Sequence, residues 1–178
     1  MATKKLSNEF MEKFLNDSAW KELPSNFQWT EQMLEKHKSK VDWEKISNNS
    51  SIVWTPTMLE KFKKLIDWEE LSKTDCETIL TEDCLEQFKD YWDWAELSDN
   101  RDVELNYQLI DRFLDRWNWY KLINRWSEDK LYNIDFLERY ADKIPYCKLQ
   151  NSRLWDRLVE ERTKDCLLYT SDAADEAR

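Results

Sequence analysis

The sequence predicts an all-α protein: a short, solenoid-like helical-repeat array of about 25 residues per unit, each unit holding one longer and one short helix. Three observations predict it. Trp20, Trp43, Trp68, Trp94 and Trp119, with Tyr146 in the sixth place, recur at intervals of 23, 25, 26, 25 and 27 residues, and self-similarity at a period of roughly 20 to 50 residues marks stacked repeats. Ser7, Thr30, Thr55, Thr81, Asn106 and Asn133 stand in register ahead of apolar runs. All are residues whose side chains accept a hydrogen bond from the free amides of a first helical turn. The 178 residues include no glycine and three prolines, Pro24, Pro56 and Pro145. That composition favours helices and excludes Gly-rich phosphate loops and Gly-dependent hairpins.

The longer helix of each copy starts at its cap. An apolar residue precedes the cap (Leu6, Trp29, Trp54, Leu80, Leu105, Tyr132) and another follows it by four places (Met11, Leu34, Leu59, Leu85, Ile110, Leu137), the spacing of a hydrophobic staple. Pro56, directly after Thr55, takes the first helical position, where its missing N–H costs nothing. Apolar residues then follow a 3, 4, 7 spacing, as in Met58, Leu59, Phe62, Leu65 and Ile66, which predicts one buried face. The run spans roughly eleven residues and ends at Asp42, Asp67, Asp93 or Asn118, each able to cap a short helix. That helix carries the anchor tryptophan and then Ile46, Leu71, Leu97 or Leu122. Asp67 with Glu70, and Asp93 with Glu96, have the spacing of a reciprocal capping box. A Leu-Ser step, in which Ser72 opens the loop, leads through a polar stretch such as SNNSS or SDNRD to the next cap. Helices this short are marginal alone, so about five and a half copies are expected to stack around a shared core. The stretch NSRLWDRLVEERTKD departs from the spacing and reads as one further helix.

Residues 1–165 read as a single helical-repeat domain. Residues 166–178, CLLYTSDAADEAR, resemble a translated adapter of transposon-based sequencing libraries, and the expectation is a non-native tail on a chain cut off near Asp165. The formal charge is −10, of which the tail's three acids and one arginine contribute two, leaving −8. An acidic surface argues against nucleic acid, whose backbone is bound by clustered Lys and Arg. No apolar run approaches the ~18 residues of a membrane span, and MATKKLSNEF lacks the apolar stretch of a signal peptide. An intracellular, cytoplasmic protein is expected. Cys76, Cys84 and Cys147 are an odd set without a CxxC pair, and with the lone His37 they make no zinc site. Buried free thiols are the expectation. No catalytic residue, metal ligand or cofactor is assigned: there is no nucleophile elbow, and carboxylates are too abundant for any pair to single itself out.

The tryptophans invite a binding role, but nine of eleven fall in repeated columns: five anchors, Trp29 and Trp54 as staples, Trp92 and Trp117 in the last apolar column of the longer helix. Core packing is the expectation for these, and also for Trp126 and Trp155, which fall outside the columns. His37 occupies the column held elsewhere by Phe14, Phe62, Phe88, Phe113 and Tyr140 and is expected to pack there. One place after the staple residue the chain carries Glu12, Glu35, Glu60, Glu86, Asp111 and Glu138; the next place carries Lys13, Lys36, Lys61, Gln87, Arg112 and Arg139. Stacked copies turn these into an acidic and a basic ladder. The ladder is the candidate partner-binding surface, against the simpler reading of a solvated face whose pairs set register at no more than ~1 kcal/mol each.

Trp43, Ile46, Ser47, Asn49, Ile52, Trp54 and Thr55 resemble the Trp-rich repeat proteins of giant DNA viruses and some bacteria, built on W-x-x-L-S-x-N-x-x-I-x-W-[ST]. The likeness covers about Trp20 to Leu149; the third copy departs at Thr74, Thr78 and Leu80, the fifth at Ile123 and Arg125. The resemblance implies a repeat scaffold and supports the fold more than any activity. A non-enzymatic scaffold that binds another protein is therefore the expected function. The alternatives are an acidic inhibitor or immunity-type protein covering a basic enzyme, and an accessory array of a larger protein.

Overall fold

The computed structural model describes residues 15, 17–23, 26–126, 128 and 130–175, with 165–175 described for backbone alone. The expected first cap Ser7, its staple pair Leu6 and Met11, and Glu12, Lys13 and Phe14 lie outside the described residues. Twelve helices and no strand lie among the described residues, so the protein is all-α. No helix among them is long and apolar enough to cross a membrane.

The chain divides into two compact units, residues 1–92 and 93–178. The first contains α1 (Asp17–Lys21), α2 (Glu31–His37), α3 (Trp43–Ser47), α4 (Pro56–Phe62), α5 (Trp68–Ser72) and α6 (Glu82–Gln87). The second contains α7 (Trp94–Asp99), α8 (Tyr107–Arg112), α9 (Trp119–Leu122), α10 (Ile134–Arg139), α11 (Tyr146–Leu149) and α12 (Arg153–Asp175). α12 runs without interruption across residue 166.

The helices begin where the sequence places their caps. Thr30, Thr55 and Thr81 accept the amides of Met33, Met58 and Cys84 through their hydroxyl oxygens, and Asn106 and Asn133 accept those of Leu109 and Phe136. Asp42, Asp67, Asp93 and Asn118 cap the short helices in the same way. Each such cap is worth about 1 kcal/mol.

The longer helices are shorter than the eleven residues expected. α2, α4, α6, α8 and α10 have six or seven residues, followed by a tight turn. At His37, Phe62, Phe88 and Tyr140 the carbonyl accepts two amides, three and four residues on, which winds the last turn tighter and ends the helix. The next carbonyl is then closed by the anchor tryptophan. The indole N–H of Trp43 donates to Lys38 O at 2.8 Å, that of Trp68 to Lys63 O at 3.0 Å and that of Trp119 to Leu114 O at 3.2 Å. No described residue takes a positive φ. An indole thus does here what a left-handed glycine does at many helix ends, which accounts physically for a chain without glycine.

The ring of each anchor packs one copy further along. In the first unit Trp20 stacks on His37 with centroids 4.0 Å apart, Trp43 tilts against Phe62 at 5.3 Å and Trp68 against Phe88 at 5.6 Å. In the second, Trp94 meets Phe113 at 4.7 Å and Trp119 meets Tyr140 at 5.0 Å. Removing an aromatic ring of this kind from a core costs about 3–5 kcal/mol. Short helices pack on short helices within each unit, α3 on α5 and α7 on α9.

Several expectations are corrected. Tyr146, the sixth anchor, is 67% exposed, and Pro145 before it caps α11 with no side-chain bond. The helix that follows, α12, starts seven residues later instead of eleven or more, and no aromatic residue meets Tyr146 among the described contacts. Leu65 is exposed beside the buried Ile66, because its column faces solvent and holds Lys40, Arg116 and Lys143 in other copies. The reciprocal capping box at Asp67 is half formed: Asp67 accepts the Glu70 amide, but its own N–H goes to Ser47 and the Glu70 carboxylate to Asn48 and Lys73. Ser72 does not open a loop; it is fully buried and donates to Trp68 O at 2.7 Å.

Candidate functional site

The ladder residues sit on the longer helices, Glu35 and Lys36 on α2, Glu60 and Lys61 on α4, Glu86 on α6, Asp111 and Arg112 on α8, Glu138 and Arg139 on α10. Glu35 and Glu86 are half-buried and the others exposed. Each unit forms a cross-copy pair on the ladder. In the first unit Lys61 Nζ lies 3.0 Å from Glu31 and 3.4 Å from Glu35. In the second, the Arg139 guanidinium grips Asp111 with two N–H groups, and the Tyr140 hydroxyl donates to the same carboxylate at 2.9 Å. Within single helices and their following turns, Glu35 pairs with Lys38, Glu60 with Lys63 and Glu86 with Lys89.

The charges answer one another. The bond from Lys38 holds the Glu35 carboxyl below its usual range, that from Arg139 does so for Asp111, and the bond to Glu31 raises Lys61. Burial, then the Asp111 bond, pushes the Tyr140 hydroxyl up. Beside Lys61 lies a groove of about 320 Å³ lined by Glu35, Lys38, Glu60, Phe62 and Leu65 among others. A surface of mutually neutralised pairs offers a partner little uncompensated charge, and each exposed pair contributes no more than ~1 kcal/mol.

The buried polar links between copies carry more. Ser47 Oγ accepts the Asp67 amide at 2.9 Å, and Ser98 Oγ accepts the Asn118 amide at 2.8 Å, twenty residues on in both cases. Both serines are fully buried. The signal for them was present, since the Leu-Ser or Ile-Ser step recurs, but serine reads as a loop residue until its burial is known.

A second link ties loop to loop. Asn49 Nδ2 donates to Phe27 O at 2.9 Å in the first unit, and Arg125 Nη2 donates to Val103 O at 2.8 Å in the second. Both reach 22 residues back, to the carbonyl two places ahead of the staple residue. Arg125 therefore performs the motif asparagine's task with a guanidinium. It is wholly buried, 3.0 Å from Glu128, and burial pulls its pKa below the usual arginine value. Tyr132 completes the cluster by donating its hydroxyl to Leu122 O, and burial raises its pKa. At Thr74 the link is missing. The hydroxyl turns back to Leu71 O at 2.7 Å, and a cleft of about 300 Å³ opens between residues 49–54 and 74–78.

Trp29, Trp54, Trp92, Trp94, Trp117 and Trp119 are buried as their columns require, and His37 is buried under Trp20. Trp126 is not a core residue. It is 65% exposed, with the Arg153 guanidinium 4.7 Å over its ring. Tyr120 is exposed in the same unit with Lys148 5.9 Å away. Of the thiols, Cys84 is buried, which pushes its pKa up to about 11, whereas Cys76 is half-buried and Cys147 exposed, contrary to the expectation of buried thiols. Among the described residues no three His, Cys, Asp or Glu side chains converge as a metal ligand set. Fold and surface together define an all-α protein whose repeated residues link one sequence copy to the next. No family model, curated protein or solved structure matches the chain.

Proposed function

We propose that the chain is a non-enzymatic scaffold, a solenoid-like stack of Trp-anchored helix pairs that holds another protein on its surface. The observation that carries this reading is the exposed Trp126 with Arg153 over its ring, in a chain that buries most of its other indoles in repeated columns. Tryptophan, tyrosine and arginine dominate the energetics of protein interfaces, and Tyr120 with Lys148 adds a second aromatic–cation pair in the same unit. Lys61 with Glu35, and Arg139 with Asp111, serve register on this reading, because their charges are spent on one another.

The test is a pull-down with the full chain and with Trp126→Ala/Tyr120→Ala, washed at about 0.1 M and about 1 M salt, between which exposed charge attraction is screened out. A partner held by the wild-type chain at both salts and released by the double variant supports the reading. A partner that dissociates in high salt, or binds the variant equally, overturns it. Unchanged circular dichroism of the variant makes the comparison valid.

A further inference from the structure

We propose that the cleft between residues 49–54 and 74–78 accepts an arginine side chain of a partner protein. The proposal rests on the scaffold reading and names a second, chemically specific contact. It follows from the missing link at Thr74. Where the loop clamp exists, a planar N–H donor fills the gap between neighbouring loops: the Asn49 carboxamide on Phe27 O, the Arg125 guanidinium on Val103 O. In the third copy the threonine side chain is too short to cross, and its hydroxyl is committed to Leu71 O. The carbonyl 22 residues back is that of Ile52, and no donor among the described residues bonds to it.

Ile52, Val53 and Trp54 line one side of the cleft and Asp75, Cys76 and Glu77 the other. Asp75 and Glu77 form no ion pair among the described residues, and no lysine or arginine lines the cleft. The loops stay joined at Trp54 O, which accepts from Thr78 Oγ1 at 2.5 Å and from Cys76 Sγ at 3.9 Å.

These features select the occupant. An unmet carbonyl asks for a donor, and two unpaired carboxylates ask for a cation. Guanidinium is the side-chain group that presents several donors in one plane, so it can serve Ile52 O and a carboxylate together, which a lysine ammonium does less well. Val53, 69% exposed, offers apolar surface for the aliphatic stem. The volume is at the small end of the ~300–1,000 Å³ range of ligand sites, suited to one long side chain and tight for a nucleotide. The chain's charge of −10 draws basic segments toward it.

The probe is a blocked Ala-Ala-Arg-Ala-Ala peptide titrated into the full chain, read by amide chemical shifts, with lysine and citrulline versions as controls. The expected result is a set of shifts confined to residues 50–54 and 74–78, with affinity in the order arginine, lysine, citrulline. Thr74→Asn supplies the missing carboxamide and should weaken arginine binding about tenfold or more, the scale of a lost charge-assisted bond, without lowering the melting temperature. Asp75→Asn/Glu77→Gln leaves the clamp chemistry alone and should weaken binding a few-fold, which keeps the test decisive if the first variant folds poorly. Shifts elsewhere, equal affinity for citrulline, or unchanged binding by both variants would overturn the proposal. If a protein partner is captured through Trp126 while the peptide leaves the cleft unshifted, the arginine site fails and the scaffold reading stands. If the peptide binds as expected but the Trp126 test fails, the scaffold reading fails at that surface and the arginine site stands.

Discussion

Thr74 and Arg125 occupy the same column of the sequence copies, and each replaces the asparagine that at Asn49 clamps one loop to the loop before it. Their outcomes are opposite. Arg125 restores the clamp with a longer donor and buries its charge against Glu128, leaving Nε and Nη1 without acceptors among the described residues. Thr74 abandons the clamp, bonds within its own copy and leaves a cleft with unpaired acids at its rim. One loop spends its donor on internal cohesion and the other keeps an acceptor for an outside group.

The largest expected effect breaks the cohesive loop. Arg125→Ala removes one member of a buried ion pair and should destabilise the second unit by about 3–5 kcal/mol, measured by denaturant unfolding. Arg125→Asn/Glu128→Gln removes both charges and keeps a donor for Val103 O. It should fall within about 1 kcal/mol of wild type, since replacing a whole buried pair is often neutral; a loss as large as that of Arg125→Ala would show that the guanidinium's packing, not its clamp, is what matters. Ser98→Ala comes next, because it strands the half-buried Asn118 amide at a cost of about 1–3 kcal/mol. Thr74→Ala should cost only about 1 kcal/mol in the same assay, the scale of the single bond its hydroxyl donates to Leu71 O. The smallest effect is on pH. Arg139 holds the Asp111 carboxyl below its ordinary value, so the folded pKa lies below the unfolded one. The stability this contributes is full above the unfolded value, about pH 4, and is lost as pH falls through the folded value. Asp111→Asn should flatten the acid limb of a stability–pH curve there by less than ~1 kcal/mol, the pair being exposed.

How much of this was legible in the sequence varies with the physics involved. The caps Thr30, Thr55, Thr81, Asn106, Asn133, Asp42, Asp67, Asp93 and Asn118 were legible because they are local, each side chain bonding an amide two or three residues away. The burial of Trp20, Trp94 and Trp119 among the anchors and of Trp29, Trp54, Leu80 and Tyr132 among the staples followed from the period, while Trp43, Trp68 and Leu105 are half-buried. The length of the longer helices did not, because the tight turn after Phe62 is closed at the next carbonyl, Lys63 O, by an indole N–H arriving from the next helix. Nor did the destination of the Ser47 hydroxyl, which lies in the following copy. Tyr146 fits its column in the sequence and fails it in the structure, since an anchor is buried by the copy after it. Among the site residues, the ladder could be read as two columns but not as pairs already satisfied. The cleft was marked only as a departure at Thr74 and Thr78, whose consequence depends on side-chain reach.

Hydrogen exchange at Asp67 and Asn118 tests most directly the claim that buried hydroxyls join one sequence copy to the next. Both amides stand at the start of a short helix, where N–H groups have no partner within the helix and ordinarily turn to water. The account predicts that they are protected in the wild-type chain, and that Ser47→Ala frees Asp67 alone and Ser98→Ala frees Asn118 alone. Exchange in the wild type at the rate of an open helix N-terminus, or protection that survives these substitutions, would contradict it.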